Sequence, residues 1–170
     1  MISATIATPH RRARLLLAAV VLALVATLTP ASRADAAQSL AELRAEALFV
    51  DLINDRREQE GLLRLRRDAD IVGYARRHCL RMIAVGNLYH DIPRYIVEVP
   101  GDLSDWENVG WMERTPGKPW GYTVRQLHRM FMKSPDHRAN ILRRGISHIG
   151  VGVQIVNGEM WVTENFARKT

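Results

Sequence analysis

Between Ser39 and about Glu60, apolar residues recur at Leu40, Leu43, Ala47, Val50 and Ile53, the spacing of one helix face. Ser39 with Glu42 three residues on reads as a capping box, and Gly61 as a stop. A second helix is predicted from about Asp68 to Val85. It carries Ile71, Ala75, His78, Cys79, Met82 and Ile83 on one side, opposite Arg76, Arg77 and Arg81. Gly86-Asn87 ends it. Residues 87–121 hold Pro93, Pro100, Pro116 and Pro119 and read mostly as loop, with a short extended piece at Tyr95–Val99.

A third helix is predicted from Thr123, boxed by Gln126, with Leu127, Met130 and Phe131 inward. Ser134-Pro135 reads as an N-cap and first-turn proline opening a short fourth helix that ends by Gly145. The period then changes. Ile149, Val151, Val153 and Ile155 alternate with Gly150, Gly152 and Gln154, and Asn157-Gly158 marks a two-residue hairpin turn. Centred on that turn, Ile155 pairs with Met160, Val153 with Val162 and Ile149 with Phe166, all apolar and on one face. The other face carries Gly150, Gly152, Gln154, Trp161, Thr163 and Asn165, a surface suited to close approach of a covering layer. Helices with a small antiparallel sheet make the fold class α+β.

Composition narrows the class. The 170 residues are 47% hydrophobic and 25% charged, as in ordinary globular proteins, and one cysteine, Cys79, excludes an internal disulfide framework. The net charge of +6 is concentrated at the start. Arg11, Arg12 and Arg14 precede an uncharged run at 15–28, and Ala34-Asp35-Ala36 closes the segment, the order of a secretory signal peptide. A stable membrane span needs about 20 apolar residues, so this run is short for one. The expected layout is a signal peptide over 1–36 and one domain over 37–170, located outside the cell or in the envelope. Without the leader, 20 basic and 17 acidic groups remain, which removes most of the argument for a nucleic-acid partner.

The chain from about Leu48 to Phe166 resembles the CAP superfamily of cysteine-rich secretory, antigen 5 and pathogenesis-related 1 proteins. It is most similar to the disulfide-free bacterial branch of SCP-like extracellular proteins. The resemblance rests on Asn54-Asp55-Arg56-Arg57, Gly61-Leu62 with Leu65 and Asp68, His78 and Met82, His90, and Glu107-Asn108-Val109. It continues in Ser134-Pro135-Asp136-His137-Arg138-Ala139-Asn140-Ile141-Leu142, Ile149-Gly150-Val151-Gly152-Val153 and Trp161-Val162-Thr163 with Phe166. It implies a three-layer α-β-α sandwich with a central cleft at His90, Glu107 and His137. Three departures stand out: Trp106 in place of the motif glycine, Ser134 in place of a second cavity glutamate, and Glu164 where many bacterial members have glutamine.

Two histidines and a carboxylate are ligand types that suit zinc or another divalent ion. The resemblance therefore makes His90, His137 and Glu107 the candidate metal ligands and cleft residues, although their spacing carries no chelating motif. Opposed to this is a structural reading in which His137 hydrogen-bonds Glu107 and ties the fourth helix to the central loop. Asn108 and Asn140 read as scaffold amides, His78 and Cys79 as core residues, and Ser134 as a cap rather than a nucleophile. The arginine pairs 56–57, 66–67, 76–77 and 143–144 read as solvated faces or as contacts for an anionic surface. Trp106, Trp111 and Trp120 read as loop anchors or as the rim of the cleft. Two functions stand: a non-enzymatic module binding a small apolar or cell-envelope ligand, or a metal-assisted hydrolase in which His90 and His137 hold the ion and Glu107 activates water.

Overall fold

The computed structural model describes residues 38–99 and 103–169. The signal-peptide expectation falls on residues outside that range. Helix α1 spans Leu40–Gln59, and its capping box forms as the sequence indicates, with Ser39 accepting from the Glu42 amide while Glu42 accepts from the Ser39 amide. Its buried face is rotated from the expected one. Ala45, Phe49 and Ile53 enter the core, while Leu40 and Leu43 are exposed. The rotation also buries Glu42 and Glu46, whose carboxylates accept from the Ile155 and Val153 amides on the edge of strand β3 (His148–Val156). Arg67 and Arg76 close on the fully buried Glu46 at 2.7 Å each. Satisfied acids thus cover a strand edge that would otherwise expose open backbone donors.

Strand β1 is the two residues Arg66–Arg67, followed by helix α2 over Ala69–Val85. Asp68 caps α2 through the Asp70 and Ile71 amides, and Gly86 ends it in the left-handed region at φ 66°. The loop expected over 87–121 is instead largely ordered. Helix α3 occupies Ile92–Glu98, where an extended piece was expected, and strand β2 runs over Leu103–Glu113. The proline-rich composition hid β2 because its prolines lie outside the strand. Helix α4 spans Trp120–Lys133, beginning before Thr123, and Gln126 donates to the Tyr122 hydroxyl rather than boxing the helix. Met130 faces outward, not inward. Helix α5, Pro135–Ile141, starts after Ser134 as expected, but without a side-chain cap bond and with an earlier end.

Strand β4, Glu159–Arg168, completes a mixed sheet of order β1-β3-β4-β2, in which β1 and β3 are parallel and the other pairs antiparallel. The hairpin register is the one the apolar pattern predicts, with Ile155 opposite Met160, Val153 opposite Val162 and Ile149 opposite Phe166. Asn157 and Gly158 have φ of 53° and 83°, as a two-residue primed turn demands. One face of the sheet packs Val151, Val153 and Val162 against Phe49, Ile53, Leu127 and Phe131 of α1 and α4. The other receives α2, with Cys79 and Met82 on Val109 and Trp161. The expected three-layer α-β-α sandwich is the observed architecture.

The second face is glycine-bearing because α2 touches the strand backbone. A Cβ at Gly150 would fall 2.4 Å from the Ile71 carbonyl carbon, and one at Gly152 would fall 2.3 Å from that of Ala75. Backbone cannot yield as a flexible side chain does. Gly152→Leu is therefore expected to destabilise the fold by at least about 3 kcal/mol, whereas Gln154→Leu, nearer the turn and partly exposed, should cost under about 1 kcal/mol. The urea midpoints of the two variants check this, and equal midpoints would contradict a covering layer at Gly152.

Candidate functional site

Glu107 is the centre of the site. It stands on β2 opposite Asn165 of β4, on the α2 side of the sheet, and is almost fully buried. Its Oε2 accepts from His78 Nδ1 and Asn165 Nδ2, each at 3.0 Å. Its Oε1 accepts from His90 Nδ1 at 3.0 Å and from the Asp91 backbone amide at 3.3 Å. An ionised carboxylate only accepts, so both imidazoles must present Nδ1–H to it. Burial alone would raise the pKa of Glu107. Bonds from His78, His90 and Asn165 outweigh that and hold it down to about 2.

The sequence pattern placed His78 in the core, and it is indeed fully buried there. Its role as a direct partner of Glu107 was missed, although His78 was among the residues carrying the family resemblance. Tyr74 and Tyr89 flank its ring at centroid distances of 5.9 and 5.0 Å and fix its orientation. Asn165 was likewise read only as a position on the covered face. His90 is exposed on one side, and its bond to Glu107 raises its pKa.

His137 does not bond Glu107 among the described contacts. It lies in the first turn of α5 with its ring 4.9 Å from Phe131. Burial and the nearby His90 charge lower its pKa, with Asp136 opposing, so it favours neutral imidazole. Asn108 and Asn140 tie α5 to β2 instead. Asn108 Nδ2 donates to the His137 carbonyl, and Asn140 Nδ2 donates to the Glu107 carbonyl and to Asn108 Oδ1. The scaffold reading of both amides matches this geometry.

Does this donor set fit a metal? An ionised carboxylate offers about four acceptor directions, and four donors already use them on Glu107. Among the described residues, no three His, Cys, Asp or Glu side chains are grouped to hold an ion. His90, His137 and Glu107 as arranged therefore do not make a three-ligand zinc site.

Glu164 contrasts with Glu107. It projects from β4 to the opposite face, across from Asn108, and is completely buried beside the apolar core. It accepts one bond, from Asn108 Nδ2 at 2.9 Å, and its Oε1 is unpartnered. Burial pushes its pKa up to about 8, only partly countered by Asn108. A neutral carboxyl at this position imitates glutamine, the residue the resemblance led us to expect.

The remaining candidates separate clearly. Cys79 is buried and pushed up to about 12, so no thiolate forms near neutrality. Trp106 and Trp120 pack against the core beneath Arg143 and Arg114, at 4.5 and 5.4 Å. Trp111 alone of the three is substantially exposed, beside Trp161 in a groove of about 530 Å³.

A sheet covered by helices on both faces, with a histidine-bound glutamate on β2, defines a class of α-β-α sandwich domains. The profile of the cysteine-rich secretory protein (CAP) family matches residues 50–166, and the chain belongs to that family. Solved structures share the fold. A Bacillus anthracis extracellular protein containing an SCP domain aligns with TM-score 0.56 and 21% identity over 75% of this chain and 41% of its own. A Staphylococcus aureus cysteine-rich secretory protein gives TM-score 0.57 and 14% identity over 78% and 40%. An outer surface protein of Borrelia burgdorferi gives 0.60 and 11% over 75% and 94%. The chain thus spans about two fifths of the first two proteins. No curated protein matches the sequence.

The Glu164 environment yields a signed pH prediction. Its pKa moves from 4.5 to about 8, so the neutral form is favoured by folding. Its contribution is fully present below about pH 4.5 and is lost as pH rises through 8. Glu164→Gln should therefore stabilise the protein increasingly from pH 5 to 8, by on the order of 3 kcal/mol at the upper end. Thermal or urea unfolding of both proteins at pH 5 and 8 checks this, and a Gln variant no more stable than the wild type at pH 8 would contradict it.

Proposed function

We propose that the protein is an exported, non-enzymatic CAP domain over residues 37–170 that binds a small apolar or cell-envelope ligand in the cleft beside His90 and His137. One observation carries this reading. Glu107, the carboxylate buried beside that cleft, has both oxygens engaged by four donors and a pKa near 2. Such a carboxylate is a weak base at neutral pH. It is suited to orienting His78 and His90, not to activating water, and this favours binding over hydrolysis. His90, with its ring Nδ1 fixed on Glu107, presents its other edge to the cleft. Export is supported by the leader pattern at 1–36, and no helix among the described residues is long and apolar enough to cross a membrane.

Ring NMR signals of His90 and His137 should move together when the purified protein is titrated with an envelope lipid extract, and His90→Ala should weaken that response. Metal analysis of natively purified protein should give well below one equivalent of zinc. Glu107→Gln should destabilise the fold by roughly 2–3 kcal/mol, since the buried site loses charge-assisted bonds. Zinc near one equivalent that is lost in His137→Ala, with ester, peptide or phosphodiester turnover lost in Glu107→Gln, would establish the hydrolase instead. N-terminal sequencing of the exported protein should begin at or near Ala37.

A further inference from the structure

A second concave site lies away from Glu107, where the end of α1 meets α4 and α5. Arg56, His128, Arg129, Met132, Lys133 and Arg138 line a groove of about 340 Å³. Four permanent cations converge there from three helices. Glu60 is their one acidic contact among the described residues. Its Oε1 accepts from Arg56 Nη2 at 2.6 Å and from Arg138 Nη2 at 3.1 Å. Two guanidiniums closing on one oxygen mark a position where an oxyanion is held. Arg129 and Lys133 have no acidic partner among the described residues, so the groove keeps a net excess of three positive charges.

The groove also contains unmet hydrogen-bonding capacity. His128 is 8% exposed, yet its Nδ1 has no partner, and Arg56 Nε is likewise buried and unpartnered. Buried polar atoms ordinarily find partners. Arginine and lysine donate only, so what the site lacks is an acceptor. Burial, and after it the Arg56 charge, lowers the pKa of His128 to about 4, so the ring is neutral near pH 7. Guanidinium forks match tetrahedral oxyanions through paired N–H bonds, and Met132 gives the groove an apolar wall.

We propose that this groove is a binding site for the phosphate group of a phosphate ester, independent of the His90/Glu107 cleft. Arg56 and Arg138 grip its oxygens, Arg129 and Lys133 supply neutralising charge, and the His128 ring contacts it from the buried side. Glu60 competes for the two guanidiniums and weakens the site when no ligand is present. A membrane phospholipid headgroup and a soluble phosphate ester share this chemistry.

The test uses purified protein and three probes: inorganic phosphate, glycerol 3-phosphate, and vesicles of phosphatidylglycerol in phosphatidylcholine compared with phosphatidylcholine alone. The His128 ring signals should shift saturably with the phosphate probes, and doubling the salt should weaken the response. Arg129→Gln with Lys133→Gln should reduce affinity about tenfold or more without lowering the melting temperature, since neither side chain has a structural partner. Glu60→Gln should tighten binding several-fold, the opposite sign from damage to the fold. Vesicle binding that requires phosphatidylglycerol and is competed by phosphate identifies the headgroup. Response to glycerol 3-phosphate without vesicle binding identifies a soluble ester. No His128 shift with any probe, or equal affinity in wild type and all variants, would overturn the proposal.

Discussion

The contact on which the rest of the molecule depends is the seating of α2 directly on the backbone of β3. Gly150 and Gly152 leave no room for a Cβ, so the helix approaches until strand and helix backbones touch. That distance brings Cys79 Sγ to within 3.3 Å of the Gly152 carbonyl. The residue immediately before it, His78, is carried to Glu107. A larger residue at either glycine would lift α2, the helix that brings His78 to Glu107.

Two glutamates on neighbouring strands show how the same side chain is set to opposite states. Glu107 meets four donors and stays ionised despite burial, while Glu164 meets one and stays neutral at pH 7. Alternation across the sheet sends Glu107 toward α2 and Glu164 toward the core under α1, α4 and α5. Desolvation is common to both, and the number of donors decides the outcome. The consequence for function is direct. The ionised group is saturated and acts as an anchor for His78 and His90.

The arginine pairs illustrate the division of labour on the basic faces. Arg67 and Arg76 neutralise Glu46, which itself covers the β3 edge. Arg57 is almost fully buried and donates to the carbonyls of Leu63, Ile141 and Arg143, holding the end of α5. Arg77 and Arg81 pair with Glu98. In the groove around His128, Arg129 and Lys133 have no acidic partner among the described residues, and on other faces Arg66, Arg143 and Arg144 have none either. A linear count of positive residues could not separate these cases, because the acids that cancel them are distant in sequence.

Local signals carried much of the fold. The capping box at Ser39, the αL glycine at 86 and the Asn157-Gly158 turn act over four residues or fewer, so sequence alone determined them. The hairpin register followed from the period-two pattern and that turn, and with it the glycine face awaiting a layer. The run at 134–142 and the matching pieces around it made the family legible. Strand β2 was not, because it is an edge strand whose pairing partner, β4, is some fifty residues away. The rotated face of α1 was not, because Glu42 and Glu46 look solvent-directed until the β3 amides and two arginines are placed around them. Within the site, His90 and Glu107 were legible through resemblance, whereas the bonds from His78 and Asn165 were not. Hydrogen-bond saturation of a buried carboxylate depends on donors brought from a helix, a loop and the neighbouring strand at about 3 Å, and only tertiary packing sets those distances.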